Sequence, residues 1–317
     1  MPSLAVASGS IGLLGSPILR FCLDAEVFPL DGRDMSRLGS ALFTLVLFVA
    51  TALALGLLVL PIVAIFARVP AHLLVDQLRD PIVLDALILT ATTNAIALGV
   101  ILLIGTPAAY LLGTRRFRGR TAVITLVELP LVLPPTVAGI GLLAAFAGRV
   151  GLLSDILDPI GVSVVFTTTA VVIAICFVAG PFYLRQAIAS FETLDKDVLD
   201  AARVDGAGPF RVLVSVSIPL ASTGLAAGAA LAFARGVGEF GATIMFAGNL
   251  RAVTQTLPLL IYQDFELDFN LSLAISALLV VVSAAVLITV KVLIRLSSRA
   301  RSGDGAVTVG PVRASGG

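Results

Sequence analysis

Six long runs of apolar residues, separated by short polar stretches, dominate the chain. They cover roughly residues 40–66, 83–113, 121–147, 163–188, 218–246 and 269–295. A helix needs about 20 apolar residues to cross the hydrocarbon core of a membrane, and each run is at least that long. The pattern therefore predicts an all-α integral membrane protein with about six transmembrane helices.

The largest polar interruption covers residues 185–217. Within it, Thr193 is predicted to cap a first short helix, because two aspartates follow it and suit a first turn. Gly206 is expected to end that helix in a left-handed turn, and Pro209 fits the first position of a second helix. The apolar side of the second helix is predicted to consist of Phe210, Val212, Leu213 and Val216. One interpretation is a plain connection between two spans, and the other is a handle that a soluble partner moves.

The composition agrees with a membrane protein. Of the 317 residues 58% are hydrophobic and 13% are charged, and the mean hydropathy is +1.07, whereas a soluble domain carries about 25% charge. One histidine, two distant cysteines and the lack of clustered carboxylates argue against a membrane-embedded enzyme. We therefore predict no catalytic residue, no metal site, no cofactor and no nucleic-acid partner.

Basic residues are distributed unequally between the two sides that six spans would create. With the N-terminus inside, sixteen Lys and Arg residues lie inside and four lie outside. Because basic residues favour the cytoplasmic side, both termini and the polar interruption are predicted to be cytoplasmic. The predicted divisions are a cytoplasmic tail at 1–38, a transmembrane domain at 39–297 and a disordered cytoplasmic tail at 298–317.

The third run contains an unusual cluster of prolines. Pro130, Pro134 and Pro135, followed by Thr136, remove backbone donors in the middle of the predicted span. Such a break survives only where protein or a water-filled cavity satisfies the freed carbonyls. It is interpreted either as a structural kink or as part of a translocation path.

The fifth run ends in charged residues and glycines. Arg235 and Glu239 are four residues apart and would share a helix face, with Gly236, Gly238 and Thr243 close by. Ionisable groups inside a membrane are usually paired or functional. The two interpretations are an ion pair that only stabilises the fold and a gate or path-lining element.

The second run carries five polar residues toward one end. Hydroxyl and amide groups could contact an anion, but in membrane helices they more often form hydrogen bonds between helices. We therefore expect a role in helix packing for Asp85, Thr90, Thr92, Thr93 and Asn94.

The polar interruption resembles a known motif. Asp200-Ala201-Ala202, then Gly206 after three residues, then Val216-Ser217-Ile218-Pro219 after nine, is similar to the EAA loop of ABC importer membrane subunits. That family usually has Glu at the first position and Leu before the last proline, where this chain has Asp200 and Ile218. Further blocks at 107–112, 116–119, 129–139 and 233–243 resemble molybdate permeases, with sulfate and tungstate permeases as near relatives. The resemblance covers roughly residues 83–295.

The resemblance implies a type I ABC importer fold in the inner membrane of the cell. Two copies of the chain would pair, each would dock a cytoplasmic ATPase, and an external binding protein would deliver an oxyanion, most simply molybdate. The family's ATPase-coupling loop would correspond here to Asp200, Ala201, Ala202, Gly206, Val216, Ile218 and Pro219. The chain contains no phosphate-binding Gly-x-x-x-x-Gly-Lys-Ser/Thr sequence, so ATP hydrolysis is expected on the partner. Tungstate or sulfate as cargo, and an ATP-independent secondary transporter, are the alternatives.

Overall fold

The computed structural model describes residues 32–148, 151–157, 159, 161 and 163–304 and contains no strand within them. Its helices confirm the all-α class. They are α1 (Gly32–Arg68), α2 (Ala71–Gln77), α3 (Pro81–Thr114), α4 (Arg120–Val132), α5 (Pro135–Phe146), α6 (Ser154–Leu157), α7 (Thr168–Glu192), α8 (Lys196–Val204), α9 (Pro209–Val212), α10 (Ile218–Val237), α11 (Gly241–Ala247), α12 (Leu257–Leu267) and α13 (Phe269–Asp304).

The apolar helices agree with the prediction of about six spans. Within the described residues, five helical stretches are long and apolar enough to cross a membrane: 39–68, 81–114, 168–192, 209–237 and 269–289. The pair α4 and α5 adds a sixth if the two helices count as one span, although they are bent by 113°. Neither the third nor the fifth run is the one continuous helix that its hydropathy had suggested. The third run is bent between α4 and α5, and the helix of the fifth run stops at Val237.

The chain divides into two units, residues 1–61 and 62–317. The described part of the first unit belongs to α1, and its large apolar side chains are exposed, such as Leu57 at 75% and Phe48 at 73%. Helix α1 begins at Gly32 and α13 continues to Asp304, while residues 1–31 and 305–317, which hold most of the two predicted tails, lie outside the described residues. The predicted domain boundaries stay a prediction.

Helix α7 lies at the centre of the second unit and packs against α3 and α10. Small residues allow this close packing, as in many membrane proteins. Ala97 and Ala109 of α3 are fully buried, and a Cβ atom at Gly113 would lie 2.7 Å from the Cβ of Phe191. On the other side of α7, a Cβ at Gly224 of α10 would overlap the hydroxyl of Ser190.

A second apolar cluster joins the beginning of α3 to α12 and α13. Its buried members include Val83, Leu257 and Ile275. The Thr90 hydroxyl accepts a hydrogen bond from the backbone N–H of Leu257 (2.8 Å) and donates one to the carbonyl of Ala86 (2.7 Å). The expected packing role is thus confirmed for Thr90. The neighbouring Thr92 and Thr93 instead donate to carbonyls of their own helix.

Candidate functional site

Helix α8 begins at an aspartate cap. The Oδ1 atom of Asp195 accepts a hydrogen bond from the backbone N–H of Asp197 (2.9 Å), and Asp195 has extended backbone angles. The prediction of Thr193 as the cap was wrong, because its hydroxyl donates to the carbonyl of Ser190 at the end of α7 (2.9 Å). Both residue types can cap a helix, and the one that lies next to the first helical turn does so.

Helix α8 ends at Gly206, as predicted. Gly206 has φ +85°, and two backbone hydrogen bonds close the turn: Gly206 N–H to the carbonyl of Arg203 and Ala207 N–H to the carbonyl of Ala202, both 3.0 Å. This is the Schellman arrangement, which requires a left-handed residue at this position. A Cβ at Gly206 would meet no atom within 4 Å, so conformation rather than space explains the glycine.

The loop formed by α8 and α9, which we call the coupling loop, has one anchored side and one exposed side. Leu199 and Val212 are buried at 4% and 0% exposure. Ala201 is exposed, and Val204 and Phe210 are 87% and 77% exposed. Of the four residues predicted to form the apolar side of the second helix, Val212 is thus buried, whereas Phe210 is exposed. Large apolar side chains held outward on a polar loop are typical of a surface that binds a partner.

The coupling loop continues into the apolar part of the protein as one helical stretch, Pro209–Val237, which we call the rod. Residues Pro209–Val237 are helical throughout, and residues 213–217 form a π-helical turn. Val216 and Ser217 lie in this turn, while Ile218 and Pro219 begin α10. A proline has no backbone N–H to donate, which favours a local change of helical register just before it. The buried Ser217 hydroxyl donates to the carbonyl of Val212 (3.1 Å) inside that turn.

The far end of this rod carries the predicted ion pair. Arg235 Nη2 lies 2.7 Å from Oε2 of Glu239, as an ion pair without aligned hydrogen-bond geometry. The other carboxylate oxygen, Oε1, accepts from the backbone N–H of Ala242 (2.7 Å) and so caps α11. Glu239 is 3% exposed, and Thr243 one turn further is 1% exposed with no hydrogen-bond partner for its hydroxyl. Glu239 therefore links α10 to α11 across the break between them.

The prolines of the third run produce a second break, and it lies beside the first. Helix α4 ends at Val132, Pro134 is extended and exposed, and α5 starts at Pro135 with Thr136 exposed. A Cβ at Gly241 would lie 2.9 Å from the Cβ of Pro135 and 3.2 Å from the backbone nitrogen of Thr136. The structure thus brings Pro135, Thr136 and the start of α11 together.

Close contact continues along α5 and α11. A Cβ at Gly139 would lie 2.7 Å from the carbonyl oxygen of Ala242 and 2.8 Å from the Cβ of Met245. Because no side chain separates the two backbones here, a shift of α11 must also displace α5.

One contact of the site has no local signal in the sequence. A Cβ at Gly236 would lie 2.3 Å from Oδ1 of Asn94, a buried oxygen without a hydrogen-bond partner, so α3 touches α10 one turn before Glu239. The Nδ2 group of Asn94 donates to the carbonyl of Thr90 (2.9 Å). The sequence shows that Asn94 is polar and that Gly236 is small, but only the folded chain shows that these two residues meet.

The short helix α12 carries a buried acid at the other end of α3. Asp264 is 9% exposed, and burial together with the nearby charges of Asp80 and Asp268 raises the pKa of its carboxyl. Within the described residues, no group of three histidine, cysteine or acidic side chains is placed to hold a metal ion.

Residues 102–301 match the family described as "Binding-protein-dependent transport system inner membrane component". The chain belongs to this family. The match includes the coupling loop and both helix breaks of the permease, and it begins at residue 102, in the second half of α3.

Individual relatives cover most of the permease. It is 41% identical over 231 residues to the "Molybdenum transport system permease protein ModB" of Mycobacterium tuberculosis, covering 73% of this chain and 87% of that protein. It is 35% identical over 251 residues to the "Probable transport system permease protein NifC" of Clostridium pasteurianum, covering 78% and 87%. The "Molybdate/tungstate transport system permease protein WtpB" of Pyrococcus abyssi is 32% identical over 271 residues, covering 84% and 98%.

A solved structure shares the fold at low sequence identity. A chain of a bacterial ABC transporter involved in the import of the acidic polysaccharide alginate superposes with a TM-score of 0.62 at 16% identity. The likeness covers 82% of this permease and 98% of that chain. The permease therefore has the fold of an ABC importer membrane subunit.

Proposed function

We propose that this permease is the membrane-spanning subunit of an ATP-driven oxyanion importer and that its coupling loop docks a separate cytoplasmic ATPase. The exposed side of the loop, with Ala201, Val204 and Phe210, carries this proposal. Ala201, and Ala202 beside it, are small enough to let α8 sit in a groove of the partner. Asp200 and Arg203 pair with each other on the same short helix. ATP is bound and hydrolysed by the partner.

Force from the ATPase reaches the membrane along a single helix. Residues Pro209–Val237 form 29 residues of continuous helix, about 43 Å at 1.5 Å per residue. Gly206 fixes the angle of α8, and the segment from Val216 to Pro219 joins the loop to the rod. A helix of this length transmits a displacement of its first turn to its last, where Arg235 holds Glu239.

The two helix breaks are proposed as the gate of the translocation path. Movement of Glu239 shifts α11, including Thr243, and the contact of Gly241 with Pro135 passes the shift to α5. The first backbone N–H groups of α5, at Thr136 and Val137, have no earlier carbonyl of their own helix to bind, whereas that of Ala138 donates to the carbonyl of Pro134. A helix N-terminus carries partial positive charge, so Pro134, Pro135 and Thr136 offer a favourable place for a passing anion.

The remaining parts of the machine follow from this proposal. Two copies of the chain form the path, an external oxyanion-binding protein delivers the cargo, and both termini lie in the cytoplasm beside the ATPases. The path opens alternately to the two sides of the membrane. This orientation is supported by the excess of basic residues on the side of the coupling loop.

Molybdate is the proposed cargo because relatives at 41% and 32% identity carry molybdenum or molybdate in their names. The name of the latter also includes tungstate, and sulfate permeases are more distant relatives at 29% identity. Tungstate and sulfate are therefore the alternatives. Uptake of labelled molybdate in competition with each of the other two anions tests the assignment. Stronger competition by sulfate than by unlabelled molybdate would reject it.

Docking of the ATPase is tested at Ala201. Ala201→Trp places a bulky ring on the exposed side of α8 and should abolish co-purification with the ATPase and uptake together. Ala201→Ser keeps the residue small and is the matched control, which should retain both. Wild-type co-purification and uptake with Ala201→Trp would reject the docking role.

A further inference from the structure

A cavity of about 580 Å³ opens beside the coupling loop. Its lining comes from the end of α3, the turn into α4 with the first residue of α4, the end of α7, and residues along α8 from Lys196 to Arg203. Phe191 and Leu199 supply buried apolar surface at 1% and 4% exposure. The helix breaks contribute nothing to the lining, so the cavity is separate from the proposed gate.

The cavity has an excess of positive charge. Its two acidic residues are each engaged by an arginine of the same lining, Glu192 by Arg120 and Asp200 by Arg203. The lining also contains Arg115, Arg116 and Lys196, and the described part of the structure shows no ion pair for these three. Three positive charges in one cavity are thus left for an anion to neutralise.

The position of the cavity indicates the source of that anion. Helices α3 and α7 are apolar enough to span the membrane, and they end at Thr114 and Glu192 on the cavity rim. The cavity therefore lies where the bilayer meets water. Basic pockets between spans at such a boundary bind the head groups of anionic lipids.

We propose that this cavity binds the phosphate of an anionic lipid head group in the leaflet next to the coupling loop. Arg115 and Arg116 contact the phosphate from the turn between two spans, and Lys196 contacts it from the first residue of α8. The bound lipid ties the coupling loop to the bundle. This site goes beyond the proposed transport cycle and does not require knowledge of the cargo.

The turn that carries the arginines is already held in place. Arg120 Nε donates a hydrogen bond to the carbonyl of Leu112 (2.6 Å), and its guanidinium pairs with Glu192 of α7. This double contact fixes the end of α3 against α7 without the lipid. The cavity is therefore formed before the anion arrives, which reduces the ordering cost of binding.

Lipid retention by the purified full-length chain tests the proposal. Native mass spectrometry counts phosphatidylglycerol molecules that remain after exchange into detergent, with phosphatidylcholine as the neutral comparison. The wild type should retain phosphatidylglycerol selectively. Each charge removed at Arg115, Arg116 or Lys196 should weaken binding about fivefold, and the triple alanine variant should lose it by on the order of a hundredfold.

A matched control lies in the same turn. Arg118 is an exposed basic residue that does not line the cavity, so Arg118→Ala should retain the lipid as the wild type does. The double variant Arg115→Lys with Arg116→Lys keeps both charges and should also retain it. This second variant separates loss of charge from loss of fold.

Three results would overturn the proposal. Equal retention by the wild type and the triple variant would show that the cavity does not hold the lipid. If inorganic phosphate stabilises the wild type against thermal unfolding and phosphatidylglycerol does not, the site would be assigned to a free anion. Unchanged lipid retention with loss of ATPase co-purification would assign the three residues to the protein partner.

Discussion

Replacing Gly206 should weaken docking of the ATPase through backbone conformation alone. The residue ends α8 with φ +85°, and the two hydrogen bonds of the Schellman turn depend on that angle. No atom lies within 4 Å of the position that a Cβ would occupy, so a substitution meets no steric obstacle. The series Gly206→Asn, Gly206→Ala and Gly206→Val therefore isolates the conformational term.

The size of the effect follows from the left-handed backbone. A residue with a Cβ destabilises the turn by roughly 1–2 kcal/mol in this conformation, and a β-branched residue destabilises it more, whereas asparagine tolerates the left-handed conformation. A loss of that size changes the population of the closed turn about 5- to 30-fold. Few contacts besides the buried Leu199 and Val212 hold the loop, so we expect the loss to fall on the loop itself.

Affinity for the ATPase is the measurement, made by titrating the purified partner onto detergent-solubilised permease. Gly206→Ala should weaken binding about 5- to 30-fold, Gly206→Val should weaken it further, and Gly206→Asn should stay close to the wild type. The melting temperature of the permease alone should change little in all three. Equal affinities for the valine and asparagine variants would refute the reasoning.

Three further predictions concern the interior. Arg235→Gln leaves the carboxylate of Glu239 buried without its ion pair and should lower the stability of the folded protein by about 3 kcal/mol. This value is at the lower end for a buried pair because the Arg235 side chain is 27% exposed. Glu239→Gln keeps an acceptor for α11 and should lose less in thermal unfolding, and equal losses would argue against the pairing. Gly236→Ala places a methyl group 2.3 Å from Oδ1 of Asn94 and should destabilise the protein by about 1–3 kcal/mol. Adding Asn94→Ala in the same chain should restore part of the lost stability. If it restores none, the contact between these two residues is wrong. Asp264→Asn should raise the melting temperature at pH 7, because the raised pKa of the carboxyl makes its charged form costly in the folded state. That gain should vanish as the pH falls through the raised pKa toward the ordinary range near 4, and a pH-independent gain would contradict the assignment.

Local features of the coupling loop could be predicted from the sequence. Gly206 and Pro209 take the positions that their backbone preferences require, because a left-handed turn and a first helical position are decided within a few residues. The cap was misplaced by two residues, at Thr193 in place of Asp195, because both side chains can accept the same hydrogen bond. The exposure of Phe210 could not be predicted either, since an exposed apolar residue has the same hydropathy as a buried one.

The sequence predicted only some features of the helix breaks. Pro134 and Pro135 predicted an interruption but gave no angle, and the two helices meet at a bend of 113°. The charged residues and glycines from Arg235 to Glu239 marked this part of the fifth run, but they did not show that α10 ends at Val237. The ion pair of Arg235 with Glu239 was predicted, since helical spacing places residues four apart on one face.

Contacts between distant parts of the chain could not be predicted. Asn94 meets Gly236, Gly139 meets Ala242 and Arg120 pairs with Glu192, and each pair joins two different helices. Helical periodicity says which face of a helix is apolar, but it does not say which helix covers that face. These three contacts join α3 to α10, α5 to α11 and α4 to α7.

Transport by reconstituted proteoliposomes tests the central claim most directly. The permease is reconstituted with its ATPase and binding protein, and molybdate uptake is measured with ATP, without ATP and with an imposed proton or sodium gradient. The account predicts uptake only when ATP and the ATPase are both present, and its loss with Ala201→Trp. Uptake that an ion gradient drives in the absence of ATP would contradict the account and favour a secondary transporter.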